Sequence, residues 1–204
     1  MRFFSQEAYC CGKKAINHCL LVDTMDFSDT LQAAKELLGC ELVVKSQQGT
    51  VSGIIVETEA YLCDDEACHA SRGKSKRNAT MFEEAGSVYV YLIYGMYHCM
   101  NIVTNDEGIG EAVLIRAIEP KQGVELMKQR RGTDDIKNLC SGPGKICQAL
   151  GVDVSDDGLM LDASRIHIRE RSRTPEIVED TRIGISKAQH LPYRFYIKDS
   201  QFVS

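Results

Sequence analysis

Alternation, more than helical spacing, sets the pattern of this chain. Helical spacing is clear near the start, where Leu31, Ala34, Leu37 and Leu38 recur at three- and four-residue steps. Ser28 is placed to cap that helix and Gly39 to end it. Two strands are predicted next, 40–46 and 53–61, joined by a Gln47-Gln48-Gly49-Thr50 turn. A polar loop follows from Cys63 to about Ala79. Ser87 to Tyr94 is rich in aromatic and β-branched residues and predicts a strand. Gly95-Met96 turns the chain, and Tyr97 to Thr104 returns beside it. A strand over Ala112 to Ile118 and a helix over Gln122 to Arg131 come next. Gly142-Pro143-Gly144-Lys145 opens a helix that ends near Gly151, with Pro in its first turn. Ile166-His167-Ile168 and Arg194-Phe195-Tyr196-Ile197 predict short strands. Residues 1–27 show no clear period and are read as a poorly defined N-terminal arm. Residues 28–204 read as one mixed α/β domain.

Composition narrows the class. The chain has 204 residues, 44% of them apolar and 26% charged, as in a globular protein that needs no disulfide framework. No apolar run is long enough for a membrane span, and the first residues have no signal-peptide core, so a cytoplasmic (or nuclear) location without membrane association is expected. The nine cysteines are odd in number and include no Cys-x-x-Cys pair. Cys63, Cys68 and His69 lie close together, but a second pair of zinc ligands is missing, so reduced thiols are expected. The net charge of −5 argues mildly against a nucleic-acid partner. Arg72-Gly73-Lys74-Ser75-Lys76-Arg77 softens this, although such a run can equally be a solvated loop.

Four features do not fit a bland core. In 53–61, strand parity puts Ile55, Glu57, Glu59 and Tyr61 on one face and Ile54, Val56, Thr58 and Ala60 on the other. On parity alone the acidic face could be a solvated edge. In 112–118, Arg116 shares a face with Leu114 and Ile118, and a buried guanidinium needs a carboxylate or carbonyl partners. Such an arginine is either half of a structural ion pair or part of a catalytic centre. Tyr89, Tyr91, Tyr94 and Tyr97 crowd a predicted hairpin with Tyr94 at its tip, where an aromatic ring can stack on a nucleobase or simply pack across strands. The Gly142–Lys145 helix start offers free N–H groups and a lysine suited to phosphate.

Taken together, these residues resemble the alkyladenine (3-methyladenine) DNA glycosylases. The matching stretches are Val56-Glu57-Thr58-Glu59-Ala60-Tyr61-Leu62, Arg77-Asn78, Met81-Phe82 and Tyr89 through Asn101. Val113 through Pro120, Ser141 through Leu150, Arg182-Ile183-Gly184-Ile185 and Arg194-Phe195-Tyr196 follow in order. The resemblance runs from about Leu31 to Ser204. It implies a single α+β domain with a curved antiparallel sheet, flanking helices and a protruding DNA-binding hairpin. It also implies double-stranded DNA with damaged purines as partner, a monomer, and no metal or other cofactor. Carried over by motif, Glu59 is the water-activating carboxylate and Arg116 helps bind that water. Tyr61, His69, Tyr91 and Asn101 line the base pocket. Tyr94 fills the space of the flipped nucleotide, with Met96, Tyr97, Arg77 and Lys145 contacting DNA. Parity puts Tyr91 and Tyr94 on opposite faces, one toward the pocket and one toward the duplex.

The implied reaction removes a base from DNA without cutting the strand, since no lysine stands on the Glu59 strand. Two other readings remain: a non-catalytic nucleic-acid-binding module of formyltransferase C-terminal type, and a metal-dependent hydrolase built on Cys63, Cys68 and His69.

Overall fold

Asp29, one residue past the expected cap, starts the first helix. Its carboxylate accepts a hydrogen bond from the Gln32 N–H at 3.0 Å, while Ser28 is drawn back to Asp26 instead. The computed structural model describes residues 25–204, and helix α1 spans Thr30–Glu36. Of the arm expected over 1–27, residues 1–24 lie outside the described part. Phe27 is buried in the main core.

The predicted hairpin forms with a longer second strand. β1 (Glu41–Ser46) and β2 (Gly49–Tyr61) pair antiparallel from Ser46↔Gly49 onward, so the turn is shorter than expected. β3 (Val88–Ile93) and β4 (Tyr97–Val103) make the second hairpin. β5 (Ala112–Gln122) runs on past its expected end and takes Gln122 from the helix predicted there. That helix, α2 (Val124–Arg131), begins only after Gly123, whose φ is +70° and whose missing Cβ would lie 2.6 Å from the Thr50 carbonyl oxygen. A short α3 (Ile136–Leu139) was not legible, and α4 (Pro143–Leu150) forms as predicted. β6 (Ile166–Arg169), β7 (Ile177–Asp180) and β8 (Arg194–Ile197) complete the elements.

All strand pairs are antiparallel, in the order β3-β4-β5-β2-β1-β6. The fold is a mixed α/β domain with one curled sheet. β2 has three partners: β5 along one edge, and β1 then β8 along the other. Alternation sorts the side chains of the sheet. Val88, Val90, Met100, Ile102, Val113 and Ile115 enter the main core under α1 and α4. Tyr89, Val103 and Ala112 join a smaller cluster with Cys68, Ala70 and Met81 from the 63–82 segment, against which Tyr61 and Tyr91 pack.

Three register shifts break the alternation where β2 meets β5, two of them flanking Glu57. The register runs Ile55↔Ile118, Glu57↔Ala117, Thr58↔Ile115, so Val56 on one strand and Arg116 on the other are left over. The parity expected from sequence therefore fails at this point. Ile55 joins the core with Ala60, and Ile118 joins it with Ile115, while Glu57, Glu59 and Arg116 meet in a charged cluster outside that core. The solvated-edge reading of the acidic face is also wrong: Glu57 and Glu59 are both fully buried. No described helix is long and apolar enough to cross a membrane.

Candidate active site

A cavity of about 310 Å³ opens beside the smaller cluster. Tyr61, His69, Tyr91, Asn101, Arg116 and Tyr94 all reach it. Elements distant in sequence supply its walls: the 63–82 loop, the β3–β4 hairpin, β5, and the segment Ile183–Ile185.

Three donors converge on the Glu59 carboxylate. The Tyr61 hydroxyl donates to Oε2 at 2.8 Å, and the Ile183 N–H donates to Oε1 at 2.8 Å. Arg116 Nη1 lies 3.3 Å from Oε1. Arg116 also donates to the Ile183 carbonyl at 3.5 Å and through Nε to Ser204 Oγ at 3.0 Å. Ile183 thus bridges the acid and the arginine with both its backbone groups. Burial, then the adjacent Glu59 charge, pushes the Tyr61 phenol far above its ordinary range, so it stays a donor.

Aromatic rings form the cavity wall. His69 meets Tyr91 edge-on, with centroids 4.6 Å apart, and shares a 3.0 Å hydrogen bond through Nδ1 with the Tyr89 hydroxyl. Burial, and then the Arg77 guanidinium, holds the imidazole below its usual pKa. Tyr89 and Tyr91 stack at 5.3 Å. Asn101 is buried and fixed by its Nδ2 to the Tyr89 carbonyl at 3.1 Å.

Tyr94 occupies the tip of the β3–β4 hairpin, with φ of +53° next to Gly95 at +69°. Two successive positive φ values suit a tight hairpin turn of the kind that matches strand twist. The ring is 81% exposed, with Met96 at 67% and Tyr97 at 45% beside it. Tyr91 and Tyr94 both border the cavity, Tyr91 within its wall and Tyr94 at the exposed tip. Strand parity stops at the turn, where Tyr94 has a left-handed backbone.

Arg77 sits in the exposed basic run with its guanidinium 6.0 Å from the Tyr91 ring. Lys145 is less free than the helix start suggested. Its ammonium is held by Asn138 Oδ1 and Ser141 Oγ. Cys63, Cys68 and His69 do not converge: Cys68 points to the Gly110 carbonyl, and among the described residues no group of His, Cys, Asp and Glu is arranged to hold a metal.

Several contributors escaped sequence reasoning. Arg182 is buried against Asp65 and the Ala60 carbonyl, with Tyr61 and Tyr193 on its faces at 4.7 and 5.4 Å. This pair ties the Ile183 segment to the loop that carries His69. Cys99, Leu114 and Ile183 also line the cavity. Nothing local marked Arg182, which follows Glu179-Asp180-Thr181 in a polar stretch.

Comparison with known proteins bears on this geometry. The family model described as Methylpurine-DNA glycosylase (MPG) matches residues 24–201. A protein of Methanoculleus marisnigri, named "Putative 3-methyladenine DNA glycosylase", is 51% identical over 181 residues, covering 86% of this chain and 94% of the relative. Proteins of the same name from Francisella tularensis and Rhodopseudomonas palustris are 51% and 49% identical, over 180 and 173 residues. They cover 86% and 85% of this chain, and 93% and 82% of the relatives.

Proposed function

The chain belongs to the methylpurine-DNA glycosylase family and is a DNA glycosylase, a hydrolase; on that premise we propose that it flips an alkylated purine out of duplex DNA and hydrolyses its N-glycosidic bond with a water activated by Glu59. The substrates are purines such as 3-methyladenine and 7-methylguanine, with hypoxanthine and ethenoadenine as further candidates. The product is an abasic site. One chain carries every group the reaction uses, which supports a monomer acting on double-stranded DNA.

A base inside a duplex is out of reach, and extruding it costs a few kcal/mol. The exposed Tyr94 ring offsets that cost by stacking in the vacated space, with Met96 and Tyr97 against the groove beside it. Arg77 supplies positive charge for the phosphate backbone, and Lys145, although held by Asn138 and Ser141, adds to it. N3- and N7-alkylated purines are cationic, and the faces of Tyr61 and Tyr91 attract a cation. A neutral His69 adds a ring without adding a repelling charge. Asn101, pinned to Tyr89, forms the wall that helps reject the amino group of ordinary guanine.

A cationic base leaves readily, so bond cleavage needs little acid. It needs a water placed against the developing positive sugar. Glu59 accepts the proton of that water and offsets the sugar charge, while Arg116 orients the water. β2 carries no lysine, so no Schiff base forms and the strand stays intact.

The observation that carries this reading is the fully buried Glu59 carboxylate, held by Tyr61, Ile183 and Arg116, all three of which line the cavity. The test is base release from alkylated duplex DNA by the native chain and by Glu59→Gln. The native chain should leave abasic sites in unbroken strands. The variant should bind the damaged duplex yet release nothing above background. Native turnover in Glu59→Gln would overturn the assignment.

A further inference from the structure

A second fully buried carboxylate stands two residues before Glu59, and the hydrolysis described above leaves it without a task. Glu57 accepts from Arg194 Nε at 2.6 Å and from the Ser204 N–H at 2.8 Å. Its Oε1 also lies 3.5 Å from Arg116 Nε. Arg116 therefore lies between two acids, its Nε toward Glu57 and its Nη1 toward Glu59. Ser204 closes the same corner, donating its N–H to Glu57 and accepting from Arg116 Nε on its hydroxyl.

We propose that Glu57 is a positioning residue for hydrolysis, holding the Nε end of Arg116 so that Nη1 stays on Glu59. This rests on the reading of Glu59 and Arg116 given above. A guanidinium is planar and rigid, so fixing one end fixes where the other points. Two buried carboxylates would otherwise compete for one arginine. Arg194 removes that competition by taking the close contact on Glu57, and the weaker contact is left to Arg116. Arg194 is itself held by Asp180 at 3.1 Å and the Thr181 carbonyl at 3.3 Å, with the Tyr196 ring 4.8 Å from its guanidinium. Neither acid is itself among the residues that border the cavity, but Glu59 is joined to three that are, Tyr61, Ile183 and Arg116, whereas Glu57 meets only Arg116 among them. Its influence runs through Arg116.

The test is a double-mutant cycle on single-turnover base release, with Glu57→Gln made in the native chain and in Arg116→Met. Glutamine keeps the volume, and thermal melting shows whether each variant is folded. In the native background release should slow about 10- to 100-fold, with damaged-duplex affinity within about threefold of native. In the Arg116→Met background the same change should cost less than about threefold, because the partner it positions is gone. Equal costs in both backgrounds, or undiminished release by Glu57→Gln, would overturn the proposal. Should Glu57→Gln fail to fold, Glu57→Asp, which draws the carboxylate back from Arg116 Nε, enters the same cycle under the same two outcomes. Glu59→Gln is run alongside. Inactivity of the native chain or activity of Glu59→Gln would sink the functional reading, whereas an active native chain, a dead Glu59→Gln and an additive cycle would sink the role of Glu57 alone.

Discussion

Tyr61 donates its hydroxyl to Glu59, two positions earlier on the same strand, at 2.8 Å. Regular alternation puts such neighbours on one face, and here the pair unites the pocket wall with the proposed base. Removing the hydroxyl in Tyr61→Phe leaves Oε2 of a buried carboxylate without that donor. A hydrogen bond to a charged group contributes about 1.5–3 kcal/mol, so base release should fall about 10- to 150-fold. Single-turnover kinetics beside damaged-duplex affinity would check this. A proportionate loss of affinity with unchanged chemistry would count against it.

Tyr94 combines high exposure with a left-handed backbone. A non-glycine residue in that conformation costs about 1–2 kcal/mol. Tyr94→Gly should therefore melt at a higher temperature than Tyr94→Ala. Both should weaken binding to damaged duplex by about 5- to 150-fold, the range of one base–aromatic stack. Melting curves and binding isotherms on the same samples separate the two effects. A large stability loss with unchanged affinity would make Tyr94 a packing residue.

His69 and His167 are both held below their ordinary pKa of 6.5, chiefly by burial. The unfolded chain then binds more protons than the folded one, so stability rises with pH through the window below 6.5 and levels off above it. Denaturant midpoints should be flat above about pH 7 and fall toward about pH 5.5. Arg77 adds to the depression at His69, so Arg77→Met should move the His69 imidazole titration upward in NMR spectra.

Arg182 and Asp65 form a pair with side chains 0% and 1% exposed. Breaking a buried pair by removing one partner typically costs about 3–5 kcal/mol. Arg182→Met and Asp65→Asn should each lower unfolding free energy by that order. Their double variant should lose less than the sum, as read from denaturant curves. Additive losses would mean that the two groups do not depend on each other.

Most strands and the main helices were legible because apolar spacing and turn residues mark them directly. Glu59, Arg116 and the hairpin tyrosines stood out because their chemistry conflicts with an ordinary core. The bulges at Val56 and Arg116 were not legible: alternation in a sequence assumes unbroken register, and nothing in these residues marks an extra one. The same break hid the burial of Glu57. Parity does not reach Tyr94, which lies past the end of β3 in a turn with positive φ. Arg182, Arg194 and Ser204 matter through partners more than a hundred positions away or across the sheet, a distance at which local pattern carries no signal.

The three-partner pairing of β2 has a consequence for biosynthesis. Glu59 receives its donor from Ile183, 124 residues later, and Glu57 from Arg194, 137 residues later. At about 5–20 residues per second, a ribosome takes roughly 7 to 30 s to span that interval. Through that time Glu59 can have Tyr61 and Arg116 but not Ile183, Glu57 lacks Arg194, and β2 has no β8 to pair with. The two hairpins and α1 can order early from local contacts, whereas long loop closure delays the rest. The proposed hydrolytic centre is therefore expected to be complete only after β8 is made, and a nascent chain to gain base-release activity only from that point.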